Sequence, residues 1–225
     1  MAFVVAIDGP AGSGKGTLAK LISEKYGLVN VDTGAMYRCL TLYLVRKGIT
    51  VEEVDRVEEE LPNINIRIER RDGEQYFYLN DEDVSKEIRT TKVNENVAKF
   101  AQLKCVRDMV TPMQREMGKT QDVIMEGRDI TTVVFPNADV KIYLDCSEEE
   151  RANRRYKQNL EKGIECTYEE VLKSIQERNR LETEREIAPL TKAEDAIVID
   201  STNLSIPEVA EAAYRIIDAK KEELK

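Results

Sequence analysis

The stretch FVVAIDGPAGSGKGT (residues 3–17) decides the fold. Its first part, FVVAID, is a short apolar run rich in β-branched residues, and it predicts a buried strand. Its second part is a glycine-rich loop whose lysine opens a helix predicted from Lys15 to Lys25, as in a P-loop. Backbone N–H groups, the helix N-terminus and the lysine ammonium would together hold nucleoside triphosphate phosphates. The residues expected to do so are Gly9, Pro10, Ala11, Gly12, Ser13, Gly14, Lys15, Gly16 and Thr17.

This loop departs from the usual P-loop pattern at one position. A serine or threonine normally follows the lysine, whereas here Gly16 follows it and the hydroxyl comes at Thr17. A glycine-rich turn that binds nothing is the alternative interpretation. The spacing, the lysine and the position between a strand and a helix all favour phosphate binding instead.

Outward from this loop, apolar β-rich runs alternate with amphipathic segments of helical length. This pattern predicts an α/β fold, a P-loop NTPase-type parallel sheet flanked by helices. Residues 60–90 break the alternation, because INIRIER and EQYFYLN are joined at Asp72-Gly73, a strong hairpin signal that predicts a small antiparallel insert. The other predicted strands are 28–32, 122–127, 140–145 and 196–200, and the other predicted helices are 35–47, 91–118, 147–162, 168–184 and a C-terminal helix that opens near Ser205.

Composition limits the possible chemistry. The chain of 225 residues contains no histidine, which excludes histidine acid–base catalysis and histidine-containing zinc sites. Its net charge of −9 argues against broad electrostatic capture of nucleic acid or of an anionic membrane surface. No apolar run is long enough for a membrane span, and no signal peptide is evident, so a cytoplasmic protein is expected. A monomer is also expected. The four scattered cysteines, which are expected to be reduced, are Cys39, Cys105, Cys146 and Cys166.

A second motif, Asp32-Thr33-Gly34 followed by Arg38, stands at the end of the second predicted strand. The carboxyl ends of parallel strands line the crevice where open α/β sheets bind ligands, so Asp32, Thr33 and Arg38 are candidate substrate-binding residues. An ordinary helix cap is the structural alternative. Half of an aspartic protease site does not fit, because the chain lacks a second copy of the motif.

A third motif, Glu126-Gly127-Arg128-Asp129, also follows a predicted strand. A carboxylate that ends an apolar strand beside a P-loop is the usual position for holding Mg²⁺ or its waters. Thr17 and Glu126 are therefore the predicted metal ligands, directly or through water. Arg128 could grip a phosphate. An isolated turn of this composition would be unremarkable, so the prediction depends on the neighbouring P-loop.

The two charged helices near the C-terminus carry several arginines. Solvated helix faces with i,i+4 ion pairs are the usual interpretation of such segments. Phosphoryl transfer, however, requires cations around the moving group and exclusion of water, and a closing helical hairpin could provide both. The arginines of these helices are Arg151, Arg154, Arg155, Arg178, Arg180 and Arg185. The residues predicted to be catalytic are Lys15, Arg128, Arg178 and Arg185. Arg154 is predicted to contact ATP.

With these residues assembled, the chain resembles the bacterial cytidylate kinase family of nucleoside monophosphate kinases over essentially its whole length. The resemblance implies transfer of the γ-phosphoryl group of ATP to CMP or dCMP, with Mg²⁺. It also implies a core at about 1–60, 90–147 and 188–225, an NMP-binding insert at about 61–90 and a mobile lid at about 148–187. The motifs that carry it are IDGPAGSGKGT, VDTGAMYR, LNDEDVSKEIRT, EGRDITTVVFP and ERNRLETEREIAPL, and the family's loop has the same GKGT ending.

The resemblance further implies roles for individual residues. Thr33 and Arg38 would contact the monophosphate nucleotide, and Asp32 would support that site. The other positions so implied are Arg107 at the monophosphate, Arg128 and Asp129 at the cytosine edge and phosphate region, Arg178 and Arg185 at phosphates, and Glu182 at the sugar.

The chain departs from the family pattern at a few positions. Ala98 stands where a serine often contacts the base, which would loosen cytosine recognition. Thr131 replaces a usual glycine. Asn179 and Glu182 stand where aspartates are common, and the longer arm of Glu182 bears on the choice between ribose and deoxyribose.

The sequence leaves two rival functions open. A sister kinase for another monophosphate or small acceptor would share the P-loop and lid but differ at the DTG and GRD motifs. A noncatalytic nucleotide switch would be expected to carry an N-K-x-D guanine-reading motif, which this sequence lacks.

Overall fold

The computed structural model describes residues 2–71 and 73–225. The chain forms two units, one from the residues up to Val31 together with Arg115–Lys225, the other from Asp32–Gln114. In chain order the elements are β1 (Val4–Asp8), α1 (Lys15–Tyr26), β2 (Val29–Asp32), α2 (Thr33–Arg46), α3 (Val54–Glu60), β3 (Ile66–Arg71), β4 (Glu74–Leu79), β5 (Glu82–Asp83), α4 (Thr91–Phe100), α5 (Lys104–Met117), β6 (Val123–Gly127), β7 (Val140–Asp145), α6 (Glu148–Glu161), α7 (Tyr168–Glu184), β8 (Ile197–Asp200) and α8 (Ile206–Glu223).

The first unit is built on a five-stranded sheet of order β2-β6-β1-β7-β8. Strand β1 pairs in parallel with both β6 and β7, and β7 pairs in parallel with β8. All five residues of β1 are buried, as expected for a central parallel strand that is covered on both faces. Helices α1 and α8 supply side chains such as Leu18, Ile22 and Ile217 to the main apolar core. The predicted α/β fold with its parallel sheet is confirmed.

Helices α6 and α7, both in the first unit, pack through a small apolar cluster of Ala152, Val171 and Ile175. Helix α7 begins where predicted because Thr167 and Glu170 form a reciprocal capping box. Ser205 and Glu208 form the same arrangement at the start of α8. The charged sequence of α6 and α7 thus forms two regular helices with their own apolar contact.

The second unit holds a three-stranded antiparallel sheet of order β3-β4-β5. Arg71 pairs with Glu74, so the β3–β4 connection falls where the hairpin signal placed it. Asp72 of that signal lies outside the described residues. Helix α2 packs against both α4 and β4 in this unit.

The structure differs from the sequence-based assignment in three places. The helix predicted over 91–118 is two helices, interrupted at residues 101–103. Helix α3 and the short strand β5 were not predicted. Across the described residues, no helix combines the length and apolarity that crossing a bilayer requires. The division into core, insert and lid stays a prediction.

Candidate functional site

The predicted P-loop lies between β1 and α1, as its sequence required. A side chain at Gly9 would place its Cβ 2.2 Å from the Leu144 carbonyl oxygen of β7, so only glycine allows the loop to leave the sheet here. Lys15 is 4% exposed, and its ammonium donates a hydrogen bond to the Pro10 carbonyl over 2.8 Å. The loop is therefore held close to the sheet, with its lysine buried inside it.

Two residues outside the loop hold its backbone. The buried Arg151 guanidinium donates to the carbonyl oxygens of Ala11 (3.1 Å) and Cys146 (3.0 Å). The Ser201 hydroxyl lies 3.2 Å from the Ser13 carbonyl oxygen. Sequence reasoning grouped Arg151 with the phosphate-binding arginines and missed this bracing role. No local sequence signal identifies it, because the contact joins residues 140 positions apart.

The remaining arginines of α6 and α7 have different surroundings. Arg154 donates to Glu150 and to the Ser201 carbonyl oxygen (2.7 Å), beside the predicted loop. Arg180 forms exposed ion pairs with Glu177 and Glu184 on its own helix. For Arg180, the solvated-face interpretation of a charged helix therefore holds.

Burial, together with the positive charge of the neighbouring Arg128, lowers the pKa of Lys15 to about 7. The carboxylates of Glu126, Glu182 and Asp8 act in the opposite direction, favouring the charged lysine. Such a lysine gains strongly from a phosphate, since added negative charge restores the ammonium form. The sites predicted separately at Lys15, Glu126 and Arg128 therefore share one electrostatic environment.

Glu182 joins two of the predicted catalytic arginines. Its carboxylate accepts from Arg128 Nε over 2.6 Å and from Arg178 Nε over 2.8 Å. The Glu182 side chain is 5% exposed, against 19% for Arg128 and 24% for Arg178. Burial alone would raise the pKa of Glu182, but the two guanidinium groups outweigh it and hold the pKa well below its usual range.

Another buried ion pair lies in the same unit. Arg185 Nη2 lies 3.8 Å from the Asp129 carboxylate, and both side chains are nearly inaccessible to solvent. Arg185 Nε also donates to the Ala188 carbonyl oxygen over 2.7 Å. The four predicted catalytic side chains, Lys15, Arg128, Arg178 and Arg185, thus all belong to the first unit, each beside a carboxylate.

The predicted metal ligands are placed around Gly16. A Cβ at Gly16 would lie 2.9 Å from Glu126 Oε1, so the missing side chain leaves room for this carboxylate against the start of α1. Thr17 follows on the same helix and is exposed. This is a physical reason for glycine at the position where most P-loops have a hydroxyl residue. The donor set, one hydroxyl and one carboxylate, suits a Mg²⁺ ion that keeps several waters.

The second unit contains the DTG motif. Asp32 accepts a hydrogen bond from the Ala35 N–H over 3.0 Å and caps α2. This is the ordinary helix cap that the sequence left open as an alternative to substrate binding. Asp32 also forms a 3.3 Å ion pair with Arg89. Arg38 Nη1 lies 2.7 Å from the position a Gly34 Cβ would occupy, so the guanidinium lies across this glycine. Arg38 also donates to Asn94.

Arg107 lies within the second unit on α5 and is 4% exposed. Its guanidinium donates to the Ala101 carbonyl oxygen at the interruption between α4 and α5, and it lies 5.8 Å from the centre of the Tyr37 ring. Ala98 is half-buried, one helical turn after Asn94, the partner of Arg38. Of the predicted acceptor residues of this unit, Asp32, Arg38 and Arg107 are thus positioned by contacts within it, and Thr33 is buried at the start of α2.

Comparisons with known proteins agree on one family. A family model described as cytidylate kinase matches residues 5–219. A cytidylate kinase of Fusobacterium nucleatum is 50% identical over 218 residues, which cover 97% of this chain and 98% of that protein. A cytidylate kinase of Thermosipho melanesiensis is 48% identical, with 96% and 97% coverage.

Solved structures support the fold. A gluconokinase from Sinorhizobium meliloti superposes with a TM-score of 0.51 at 14% identity, over 99% of this chain and 95% of that one. At this identity the similarity shows the fold alone. Because the family model covers nearly the whole chain and the relatives reach half identity over their full length, the chain belongs to the cytidylate kinase family.

Proposed function

We propose that this protein transfers the γ-phosphoryl group of ATP to CMP, forming CDP and ADP. The observation that carries the proposal is the buried P-loop lysine, Lys15, which lies in the electrostatic field of Arg128 and of its ion-pair partner Glu182. Lysine and arginine beside a phosphate-binding loop are the groups that phosphoryl transfer requires. The acceptor follows from membership of the cytidylate kinase family.

The reaction proposed is in-line attack by a CMP phosphate oxygen on the γ-phosphorus. This oxygen is ionised near neutral pH, so the reaction needs positioning and charge stabilisation rather than a general base. The P-loop amides hold the donor phosphates, and Lys15 neutralises charge on them. Arg128, Arg178 and Arg185 stabilise the charge on the group in transfer, and Arg154 contacts ATP.

The proposed acceptor contacts follow from the family resemblance and are given for each unit by itself. In the second unit, Thr33, Arg38 and Arg107 hold the monophosphate nucleotide, and Asp32 supports Thr33 by capping the same helix. In the first unit, Asp129 contacts the cytosine edge together with Arg128, and Glu182 contacts the sugar. Both CMP and dCMP are proposed as acceptors.

Mg²⁺ is the proposed metal, held by Thr17 and Glu126 directly or through water. When bound, it would neutralise negative charge on the ATP phosphates. The chain's own contribution is the space at Gly16, which allows the Glu126 carboxylate to lie against the P-loop helix. We also propose that the protein is cytoplasmic and acts as a monomer.

Gly16→Ala tests this metal arrangement. The added methyl group would meet Glu126 Oε1 at 2.9 Å and push the carboxylate aside. We expect the Mg²⁺ concentration for half-maximal activity to rise about tenfold, a typical effect of disturbing groups around a metal. Thermal unfolding should change little, since the group that moves is the end of a flexible side chain. Glu126→Gln should raise the Mg²⁺ requirement similarly, and an unchanged requirement in both variants would contradict the assignment.

The acceptor is tested by a coupled assay of ADP formation with CMP, dCMP, UMP and AMP, each at several concentrations. CMP and dCMP should give the highest kcat/KM, with AMP at the background level. A preference for another monophosphate or for a small hydroxylated acid would support the sister-kinase alternative. ATP consumption independent of any acceptor would overturn the proposed function.

A further inference from the structure

Asp8 is a fully buried carboxylate that the proposed reaction does not use. It is the last residue of β1 and immediately precedes Gly9 of the P-loop. One carboxylate oxygen accepts from the Ile130 N–H over 2.9 Å, and the other accepts from the Thr131 N–H and hydroxyl over 2.7 and 2.6 Å. All three donors come from two consecutive residues just after the GRD motif.

Asp8 also contacts the start of that motif through the sheet. In the parallel pairing of β1 with β6, Asp8 is the register partner of Gly127. The backbone from Gly127 to Thr131, called the arch below, is therefore paired with β1 at its first residue and hydrogen-bonded to the Asp8 carboxylate at its last two. Arg128 and Asp129, which we assign to the reacting phosphate and to the cytosine, lie between these two ends.

The arch continues into an irregular turn rather than a regular helix. Residues Ile130–Val134 form a π-helical turn, in which the Val134 and Phe135 N–H groups bond the Asp129 and Ile130 carbonyl oxygens. Such turns are uncommon and occur often at functional sites. Asp129 precedes this turn with a non-helical backbone, at φ −146° and ψ 25°.

Of the three hydrogen-bond donors to Asp8, only the Thr131 hydroxyl depends on which side chain the sequence places there. Burial raises the pKa of Asp8, and the hydrogen bonds from Thr131 and Ile130 oppose that rise. The two N–H donors are backbone groups, so every residue except proline supplies them. Only serine or threonine adds the third donor at position 131, where the side chain is 1% exposed.

We propose that Thr131 is a positioning residue for phosphoryl transfer: its hydrogen bond to Asp8 fixes the arch that presents Arg128 and Asp129, and ties that arch to the P-loop. The inference rests on the proposed function. It concerns a residue that is not among the proposed nucleotide contacts. The residue that ends β1 just before the P-loop thus also holds the backbone that follows Arg128 and Asp129.

The test uses Thr131→Val, which keeps the shape of the side chain and removes the hydroxyl. Thr131→Ser restores the donor, and Thr132→Val is a matched control, because the Thr132 hydroxyl has no hydrogen-bond partner within the described parts of the chain. Steady-state kinetics with CMP, calorimetric binding of ATP and thermal unfolding are measured for each protein. If Thr131→Val does not fold, Thr131→Ala serves in its place.

We expect Thr131→Val to lower kcat/KM for CMP by tenfold to about a hundredfold, the usual effect of a small misplacement of catalytic groups. The Kd for ATP should change less than about twofold, because Lys15 and the loop amides are unchanged. Thr131→Ser should recover most of the activity, and Thr132→Val should match the wild type. Wild-type kcat/KM in Thr131→Val, an equal loss in Thr132→Val, or no recovery in Thr131→Ser would overturn the inference. Absence of CMP phosphorylation by the wild type would instead overturn the proposed function.

Discussion

Replacing Lys15 with Met is expected to lower turnover by on the order of a thousandfold, because the transferring phosphoryl group loses its P-loop cation. The ammonium is the one full positive charge within the P-loop, and Met retains its length and apolar stem. The fold should persist, because the substitution removes a charge whose burial is unfavourable. The melting temperature should therefore stay the same or rise. Turnover is measured by coupled ADP formation at saturating CMP.

A suitable control for this variant is Lys20→Met. Lys20 lies on the same helix, α1, but is exposed. Its replacement should leave turnover within about twofold of the wild-type value, since the interactions of an exposed charge are weak. Near-normal turnover in Lys15→Met, or equal losses in the two variants, would exclude the proposed role of the P-loop lysine.

Replacing Glu182 with Gln is expected to lower turnover about a hundredfold and the free energy of unfolding by about 3 kcal/mol. Glutamine keeps the shape of the side chain, but its NH₂ group would face an arginine N–H. Both groups are hydrogen-bond donors, so one of the two hydrogen bonds would be lost. Arg128 and Arg178 would also lose their shared negative charge. Kinetics together with chemical denaturation measure the two effects.

The same helix provides a control for Glu182. Glu184→Gln removes a carboxylate that pairs with Arg180 but is 65% exposed. Such a pair contributes less than about 1 kcal/mol, so both activity and stability should be nearly unchanged. If Glu182→Gln has the same free energy of unfolding and the same turnover as Glu184→Gln, the contact of Glu182 with the two arginines is unimportant.

The Glu182 contribution also has an expected pH dependence. Because its pKa in the folded state is depressed, its stabilising effect is fully present above the normal glutamate range and is lost progressively as pH falls from that range through the lower folded value. Acid unfolding of the wild type should therefore begin at lower pH than that of Glu182→Gln.

Much of the fold could be predicted because its signals are local. The apolar run of β1, the glycine loop and the lysine that opens α1 are contiguous, so their order alone indicates a strand, a turn and a helix. The capping box of Thr167 and Glu170 likewise lies within four residues and places the start of α7. Elements with weak local signals, α3 and β5, were missed.

The parts that could not be predicted depend on contacts of buried side chains, some of them between residues far apart in the sequence. The 91–118 segment reads as one helix, yet the buried Arg107 binds the Ala101 carbonyl oxygen where the chain is interrupted. Arg151 and Asp8 are ordinary residues in the sequence. Their roles appear only when the sheet brings Ala11 and Thr131 within hydrogen-bonding distance of them.

Transfer of the γ-phosphoryl group of ATP to CMP can be followed with ATP that is labelled at the γ-phosphate. The wild-type protein is incubated with labelled ATP, Mg²⁺ and CMP, and the labelled products are separated. Label should accumulate in CDP in step with ADP formation, and omission of CMP should abolish transfer. Release of the label as inorganic phosphate, at a rate that does not depend on CMP, would contradict phosphoryl transfer to CMP.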